Sequence, residues 1–299
     1  MKRTGRHAAI EDAPAAGGTS IVDLHTHTTR SDGVLSPAEL AGAVTEVGVR
    51  TLSITDHDSL AAPRELRATG AIPASLELIS GVEINALAGG IPLAEGELHI
   101  LGFGVDEGDE AFEAKLAAQR TERRRRFERT VARLREIDLP IDDQVARLDL
   151  TRDDALGRPT IARALIAAGF AETVEDAFRR LIGWGGPAYV PRAGLGPLEA
   201  IRAIRAAEGL PVLAHFGEAP DQIPLLRQLR EAGLGGLEVH YRTFRPDTIA
   251  ALESVADELG FVATGGSDYH GDLMTYAEAH ASLNVPSEVA DAVRVAIAR

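Results

Sequence analysis

Residues 20–58, SIVDLHTHTTRSDGVLSPAELAGAVTEVGVRTLSITDHD, are the stretch from which the fold can be inferred. Two apolar and β-branched runs, at residues 20–24 and 49–55, have the length and composition of buried strands. Between them, Ser36-Pro37-Ala38-Glu39 is typical of a helix start, because Ser is a good N-cap, Pro suits the first turn and Glu completes a capping box. Strand, helix and strand in succession predict a parallel α/β unit.

The alternation of strand and helix continues along the chain. Five more runs of the same kind predict strands at residues 76–84, 97–103, 210–214, 235–239 and 260–264. Seven strands alternating with helices indicate a parallel sheet that closes, or nearly closes, into a barrel. The predicted fold class is therefore α/β.

One region interrupts this alternation. Residues 109–187 contain no convincing strand, and they predict a long helix at 109–136 and shorter helices near 142–148, 160–168 and 173–182. We interpret the chain as three parts: a polar tail at residues 1–20, a barrel domain formed by 21–108 and 188–299, and a helical insertion domain at 109–187.

Composition excludes several kinds of site and partner. The 299 residues include 31 basic and 45 acidic side chains, for a net charge of −14, which disfavours binding to long duplex nucleic acid. Cysteine is absent, so disulfides, thiolate nucleophiles and cysteine-ligated metals are excluded. A metal would have to be held by histidines and carboxylates, which favours divalent ions such as Mn²⁺, Fe²⁺ or Zn²⁺.

The sequence shows no sign of a membrane segment. No apolar run approaches the length of a membrane-spanning helix, and residues 1–20 lack the apolar segment of a secretory signal. We therefore expect a cytoplasmic protein without a membrane partner, and the sequence leaves its oligomeric state open.

The histidines and several acids are concentrated at the predicted strand ends. His25 and His27 follow the first strand, and Glu238 and His240 end the sixth. Because the carboxyl ends of barrel strands converge on one face, side chains distant in sequence should meet there. In His25-Thr26-His27 both imidazoles point to the same side of an extended chain, so they can hold one cation. The candidate metal ligands, enough for two or three divalent ions, are His25, His27, Asp32, His57, Glu83, His99, His215, Asp268 and His270.

These motifs resemble the signature of the polymerase and histidinol phosphatase (PHP) family. The resemblance is carried by Asp-Leu-His25-Thr-His27, Ser-Asp32-Gly, Ile-Thr-Asp-His57-Asp, Gly-Val-Glu83-Ile, the strand residue His99, Ala-His215 and Gly-Ser-Asp268-Tyr-His270. It extends in order and spacing from about residue 21 to residue 271. Within the family, the chain is most similar to the stand-alone phosphoesterases that act on nucleotides and short oligonucleotides.

The resemblance implies a distorted (β/α)7 TIM-like barrel with a site for three metal ions. Carried over residue by residue, it implies one ion held by His25, His27, Glu83 and Asp268, a second held by Glu83, His99 and His215 with Glu83 as the bridge, and a third held by Asp32, His57 and His270. The family's insertion has the segment Gly-Arg-Pro-His, where this sequence has Gly157-Arg158-Pro159-Thr160. Thr160 offers only a hydroxyl in place of that histidine, and this difference bears on the substrate range more than on metal binding.

Arginines in the predicted long helix are candidates for phosphate binding. An apolar stripe at helical spacing is formed by Phe112, Leu116, Phe127, Val131 and Leu134. With each residue advancing about 100°, Arg120, Arg123 and Arg124 lie within about 60° of this stripe, whereas Arg125 points away. We predict that substrate phosphates are bound by Arg120, Arg123, Arg124 and Arg158, with Thr160 and His240 as further contacts. The alternatives are a solvated helix face for the arginine run and a pocket histidine without a substrate role for His240.

The predicted reaction is metal-dependent hydrolysis of a phosphate ester in a small substrate. We expect a nucleotide phosphatase acting on nucleoside monophosphates or 3′,5′-bisphosphates, in which a metal-bridging hydroxide attacks phosphorus and Arg158 stabilises the transferring group. His270, His240 or a metal-bound water would protonate the leaving oxygen. The alternatives are a 5′–3′ exonuclease on short oligoribonucleotides, a histidinol phosphatase and a non-catalytic metal-binding domain. An amidohydrolase with a metal-bridging lysine is disfavoured, because Lys2 and Lys115 are the only lysines.

Overall fold

Seven strands form one sheet in the computed structural model, which describes residues 19–87, 97–147, 157–271 and 273–299. The strands are β1 (Val22–Asp23), β2 (Thr51–Ile54), β3 (Glu77–Leu87), β4 (Glu97–Phe103), β5 (Leu210–Leu213), β6 (Gly236–Tyr241) and β7 (Val262–Gly266). Their order in the sheet is their order in the chain. Each strand predicted from the sequence is present.

Backbone hydrogen bonds between the ends of the first and last strands nearly close the sheet into a barrel. The Asp268 N–H donates to the His25 carbonyl at 2.8 Å, and Thr26 forms a parallel bridge with Tyr269. The predicted α/β barrel is therefore confirmed. Its closure brings the segments after β1 and β7 side by side.

Strand β4 runs in the opposite direction to its neighbours. Strands β1, β2 and β3 pair in parallel, as do β5, β6 and β7, whereas β4 is antiparallel to both β3 and β5. The expectation of an all-parallel sheet is wrong at this strand. The reason is the connection at residues 88–96, which is shorter than the dozen or more residues that a parallel crossover needs.

Helices cover the outside of the sheet and fill the segment between β4 and β5. They are α1 (Pro37–Glu46), α2 (Ala61–Thr69), α3 (Glu110–Glu136), α4 (Asp142–Val145), α5 (Arg158–Ala167), α6 (Val174–Ala177), α7 (Pro197–Ala206), α8 (Ile223–Glu231), α9 (Pro246–Leu259), α10 (Tyr276–Ala281) and α11 (Glu288–Ile297). The predicted capping box starts α1: Ser36 Oγ accepts from the Glu39 N–H at 3.3 Å, and Glu39 Oε2 accepts from the Ser36 N–H at 2.8 Å. None of the helices in the described ranges has the length and apolar character needed to cross a bilayer.

The main buried cluster joins the strands to the helices that follow them. Ile204 of α7, Leu226 of α8 and Leu252 of α9 pack in one cluster with Ile100 of β4 and Leu237 of β6. Burial of apolar side chains on this scale is the main stabilising contribution to such a domain. It leaves the ends of the strands free to carry polar groups.

The described parts of residues 109–187 are helical, as predicted, and end in a π-helical turn at Phe178–Ile182. Phe127 of α3 packs with Ile161 and Leu165 of α5 in a separate buried cluster, while Phe112 of α3 belongs to the barrel's cluster. Helix α3 therefore connects the two clusters. The division into tail, barrel domain and insertion domain stays a prediction, and residues 1–18 of that tail and the end of the helix expected near 142–148 lie outside the described residues.

Candidate metal centre and adjoining cavity

The nine candidate ligands come together at one end of the barrel. The list by position is His25, His27 and Asp32 after β1, His57 after β2, Glu83 in β3, His99 in β4, His215 after β5, and Asp268 and His270 after β7. His99 lies near the start of its strand rather than at its end. Because β4 is antiparallel, its start lies at the same end of the barrel as the carboxyl ends of the other strands, and His99 pairs in register with Asn85 near the end of β3.

Glu83 lies at the centre of this arrangement. Its Oε2 is 3.2 Å from His27 Nε2 and 3.0 Å from His57 Nδ1. Its Oε1 is 2.7 Å from His99 Nδ1 and 3.5 Å from His215 Nε2. One carboxylate therefore contacts imidazoles from four segments of the chain.

Four groups of ligand atoms are compact enough to hold a cation, since the atoms of each group lie within 4.8 Å of one another. They are His25, His27 and Glu83; His25, His215 and Asp268; Glu83, His99 and His215; and His27, Asp32, His57 and His270. The third group equals the ligand set expected for the second ion. The fourth contains the set expected for the third ion, with His27 added. All nine residues meet as the sequence suggested, and their assignment to particular ions stays a prediction.

Several of these atoms are buried without a hydrogen-bond partner. Within the described residues, no hydrogen bond is formed by His25 Nε2, His27 Nε2, Asp32 Oδ1, His57 Nδ1 or Glu83 Oε2, although some of them lie at ion-pair distance from one another. Buried polar atoms normally have a partner, and leaving one unpaired costs about 1–3 kcal/mol. Divalent cations would pair all five, and nitrogen and oxygen donors are the ligands that such ions take. The residues present therefore fit bound divalent metal ions.

Only part of the cluster has charge states that suit metal binding directly. Burial by itself raises the pKa of Glu83, but the charges of His57 and the other imidazoles outweigh burial and hold this pKa well below its usual range. Asp32 and Asp268 have lowered pKa values for the same reasons. Burial lowers the pKa of His57 to about 4, so this imidazole is neutral near pH 7. Ionised carboxylates and a neutral imidazole are ready to donate lone pairs.

Four other imidazoles of the cluster differ from His57. Burial by itself lowers the pKa of His25, His27, His215 and His270, but the acids around these imidazoles outweigh burial and raise it. A cation would therefore have to displace a proton from them.

Two residues outside the nine orient the candidate ligands. Glu238 is buried, its Oε1 accepts from His25 Nδ1 at 3.0 Å, and its Oε2 accepts from the His215 backbone N–H at 2.7 Å. Because the proton is on His25 Nδ1, Nε2 of that ring has the lone pair that can bind a metal ion in the cluster. The Tyr241 hydroxyl donates to Asp268 Oδ2 at 2.9 Å. From the sequence, Glu238 could be placed at the end of its strand, but no role was predicted for it. The presence of an acid inside a buried strand was the signal that could have identified this role.

A cavity of about 200 Å³ opens beside the cluster, and we call it the basic cavity. Its lining includes the candidate ligands Asp32, His57 and His99, together with Asn85, Glu97, Arg123, Arg126, Arg158 and Arg192. Four guanidinium groups thus share one small space with few acids. Burial and the charge of Arg158 lower the pKa of Arg126 to about 10, which reflects this crowding of positive charge.

Hydrogen bonds hold part of this arginine group in place. Arg123 donates from Nη2 to Asp58 Oδ2 and to Asn85 Oδ1, both at 2.7 Å. Arg126 donates from Nε to the Val190 carbonyl at 2.9 Å, while its Nη2 is buried and has no partner among the described residues. This buried nitrogen is an unused donor of a side chain that lines the basic cavity, and a shift of that side chain would offer it to an anion.

Carboxylates also lie near the remaining two arginines of the basic cavity, and Arg192 donates from Nη2 to Asp58 Oδ2 at 3.3 Å. Arg158 Nη2 is 3.6 Å from Glu97 Oε1, and Arg192 Nη1 is 3.9 Å from Glu97 Oε2. Sequence analysis missed Glu97, Arg126 and Arg192. Arg126 could have been found, because it is one helical turn from Arg123 on the same face of α3.

The other predicted substrate contacts are not brought to this cavity. Arg120 donates to the Asp58 carbonyl and to Glu113, and Arg124 lines a separate groove between α3 and α4. Thr160 is half-buried in the first turn of α5 and is not among the described lining residues. His240 faces α9, with its Nε2 4.0 Å from Glu253 Oε1. Arg125 is exposed, as the helix phase predicted.

Lysine does not take part in the described cluster. Of the two lysines, Lys115 is exposed on α3, and the candidate ligands are all histidines and acids. This agrees with the sequence argument against a lysine-bridged metal pair.

Known proteins resemble this chain over nearly its whole length, although no family model matches it. It is 34% identical over 269 residues to the 5′-3′ exoribonuclease Rnm of Salmonella typhimurium, covering 88% of each chain. It is 28% identical over 253 residues to the 3′,5′-nucleoside bisphosphate phosphatase of Chromobacterium violaceum, covering 83% of this chain and 87% of that one. Its structure matches a protein of Bifidobacterium adolescentis described as a metal-dependent phosphoesterase, with a TM-score of 0.78, 30% identity and coverage of 95% and 98%.

A nearly closed seven-stranded barrel with a His/Asp/Glu cluster at one end, together with the similarity to these relatives, defines a metal-dependent phosphoric ester hydrolase. The chain belongs to the polymerase and histidinol phosphatase (PHP) family. The cluster and the relatives both indicate divalent metal ions at this site.

Proposed function

We propose that this chain removes a terminal phosphate from nucleotides, with nucleoside monophosphates and 3′,5′-bisphosphates as substrates. The observation that carries this proposal is the basic cavity, which shares Asp32, His57 and His99 with the candidate metal centre. A phosphate ester at the centre can therefore place a second phosphate among the arginines. The similarity to a nucleoside bisphosphate phosphatase supports this substrate class.

Two or three divalent ions, Mn²⁺, Fe²⁺ or Zn²⁺, would be held by three sets of residues. The sets are His25, His27, Glu83 and Asp268; Glu83, His99 and His215; and Asp32, His57 and His270. Such ions, when bound, polarise phosphoryl oxygens and make a bound water more acidic. The buried atoms without hydrogen-bond partners are the structural support for this assignment.

Arg158 is the proposed donor to the transferring phosphate. Its guanidinium is 3.6 Å from Glu97 Oε1 and 5.2 Å from the centre of the Phe178 ring, so neither contact is a short hydrogen bond. It is also only partly buried and lines the basic cavity. It can therefore turn toward an anion without breaking a strong interaction, and hydrogen bonds from a charged donor contribute about 1.5–3 kcal/mol each.

His270 is assigned to the third ion, so the proposed source of the proton for the leaving oxygen is water and not this imidazole. Its Nδ1 is 3.0 Å from the Asp268 carbonyl, and its Nε2 is 3.3 Å from Asp32 Oδ1, which fixes the ring within the cluster. His240 was the other protein candidate, but its side chain faces α9.

A 5′–3′ exonuclease acting on short oligoribonucleotides is the second candidate function. The similarity at 34% identity to a 5′-3′ exoribonuclease favours it. The same cavity could hold the 5′ phosphate of a short single strand. The net charge of −14 disfavours long duplexes in either case.

An assay on the metal-reconstituted protein tests both functions. It compares inorganic phosphate and mononucleotide release from nucleoside monophosphates, 3′,5′-bisphosphates and 5′-phosphorylated short oligoribonucleotides. The proposal expects inorganic phosphate, with the highest kcat/KM on the bisphosphate. Stepwise release of mononucleotides at a higher kcat/KM would select the exonuclease, and no hydrolysis of any of these substrates would reject both.

A further inference from the structure

A second cavity, of about 300 Å³, adjoins a different part of the candidate metal centre. It is lined by Asp268 and His270, whereas the basic cavity is lined by Asp32, His57 and His99. We call it the apolar cavity, because Phe178, Val174, Leu273 and Met274 form much of its lining. A molecule bound at the metal centre can therefore extend into two chemically different spaces.

The two cavities share a wall. Pro159 at the start of α5 and Phe178 of the π-helical turn line both of them. On the basic side, the guanidinium carbon of Arg158 lies 5.2 Å from the centre of the Phe178 ring. Phe178 thus separates an arginine-rich space from an apolar space and presents an aromatic ring at their border.

The described lining of the apolar cavity contains one arginine, compared with four in the basic cavity. Arg242 is the only arginine or lysine there, and its Nε donates to the Ser267 carbonyl at 3.0 Å. Its Nη1 contacts Met274 Sδ at 3.7 Å. The rest of the lining favours an uncharged, flat group, and Leu273 at the cavity is 87% exposed. A large apolar side chain that is this exposed is removed from water only when a ligand or a partner covers it, and this burial stabilises the complex.

We propose that the apolar cavity binds the nucleobase of the substrate, with Phe178 as its stacking surface, a proposal that rests on the nucleotide phosphatase function above. The reacting phosphate lies at the metal centre, a second phosphate lies in the basic cavity, and the base lies beyond Asp268 and His270. Stacking on an aromatic ring tolerates every base, because each base has a π-face. The cavity therefore selects for the presence of a base and only weakly for its identity.

The test compares adenosine 5′-monophosphate with ribose 5-phosphate, which has the same ester but no base. In the Mn²⁺-reconstituted wild-type protein, kcat/KM should be about 5- to 150-fold higher for the nucleotide, the range that loss of one base stack produces. Phe178→Leu and Leu273→Asp should each move this ratio toward one. Val295→Asp is the matched control, because Val295 is an exposed apolar residue on α11 outside the cavity, and it should keep the wild-type ratio.

The outcomes separate this proposal from the phosphatase function. Equal kcat/KM for the two substrates in the wild-type protein would overturn the base site while leaving the phosphatase intact. An unchanged ratio in both cavity variants would do the same. If neither substrate is hydrolysed, the phosphatase proposal fails, and calorimetric binding of adenosine decides the base site. Binding that is weakened in Phe178→Leu and Leu273→Asp would support it, and absence of binding to the wild-type protein would reject it.

Discussion

At the scale of single residues, Glu83 has the most unusual surroundings in the described chain. It is 1% exposed, remains ionised because the nearby imidazoles lower its pKa, and offers one oxygen to His27 and His57 and the other to His99 and His215. A buried carboxylate in such contacts can serve two cations at once. The sequence pointed to this bridging role through its resemblance to the PHP family.

Glu83→Gln should remove activity and lower the metal content. The amide is neutral and one of its two terminal atoms can no longer accept. One of the two ligand groups that include Glu83 therefore loses its ligand atom, and the other keeps only an uncharged carbonyl oxygen. We expect kcat/KM to fall by at least about 100-fold. This is more than the 10- to 100-fold loss that is typical when a residue hydrogen-bonded to a metal ligand is changed. Elemental analysis of the purified protein gives the metal content. Glu77→Gln, at an exposed ion pair in the same strand, is the control and should keep both values. Full metal stoichiometry in Glu83→Gln would contradict the bridge.

Glu238→Ala should weaken metal binding without removing a ligand. The change leaves His25 Nδ1 and the His215 backbone N–H without their acceptor. The backbone of His215 has a positive φ of 31°, and the hydrogen bond from its N–H to Glu238 helps to hold this conformation. We expect metal affinity to fall about 10- to 100-fold, measured by titrating metal into the metal-free protein. Glu253→Ala, on the exposed side of α9, should leave the affinity unchanged. Equal affinities in the two variants would show that Glu238 is only part of the core.

At the scale of elements, α3 turns one face to the site and the other to solvent. Arg123 and Arg126 are buried on the inner face, whereas Arg125 has a side chain that is 64% exposed and pairs with Glu122. The apolar stripe of the helix fixes this phase, because it packs on the barrel and on α5. Helix α5 then presents Arg158 from its first residue.

The effect of Arg126→Lys on KM should differ between bisphosphate and monophosphate substrates. Lysine keeps the charge but loses the planar fork, so a side chain that lines the basic cavity loses its unpaired donor Nη2. We expect KM for a 3′,5′-bisphosphate to rise about 10-fold, from the low end of the 1.5–3 kcal/mol range for charged hydrogen bonds, with little change for the monophosphate. Steady-state kinetics on both substrates measures this difference. Arg125→Lys is the matched control, and a similar rise in both variants would contradict the helix phase.

Arg158→Ala should reduce the rate on both substrates. If Arg158 binds the transferring group, its loss removes an interaction that strengthens in the transition state, so kcat/KM should fall about 10- to 150-fold. Metal content should stay at the wild-type level, because Arg158 contacts Glu97 and Phe178 and no candidate ligand. A rise in KM with unchanged kcat would instead indicate that Arg158 binds a remote phosphate and not the reacting one.

At the scale of the whole molecule, the metal centre joins segments from the entire barrel. The candidate ligands come from six of the seven strands or the loops that follow them, and five of their atoms are buried without hydrogen-bond partners among the described residues. Cations at this centre would bind the folded chain and not the unfolded one. Metal binding and folding are therefore linked.

Metal ions should accordingly raise the melting temperature. At a free Mn²⁺ concentration 100-fold above Kd, linkage adds about 2.7 kcal/mol per site. With an unfolding entropy of about 2.1 cal/mol/K per residue, that corresponds to about 4 °C in Tm per site for a chain of this size. Thermal unfolding in excess EDTA and in Mn²⁺ measures the shift, which the double variant Asp32→Asn with Glu83→Gln should lack. Identical melting temperatures in the two conditions would argue against a metal centre in the folded state.

Much of the barrel could be predicted because its signals are local. The β-branched residues before His25 indicate a strand, and the capping box at Ser36–Glu39 indicates the start of a helix. Both signals lie in consecutive residues, so they can be recognised without knowledge of the fold. The direction of β4 could not be read in this way from its own residues. It depends on the short connection at residues 88–96, which only permits an antiparallel return.

The sequence by itself determined the strands, the helices and the set of nine residues that meet at the barrel end, because strand ends converge whatever the details of packing. Only the tertiary structure decided which arginines face the centre. Arg126 and Arg192 meet Glu97 through the docking of the insertion's helices against the barrel, and no local periodicity encodes a contact between segments so far apart in the chain. The same docking placed Phe178 between two cavities, whereas His240 faces α9 within the barrel itself.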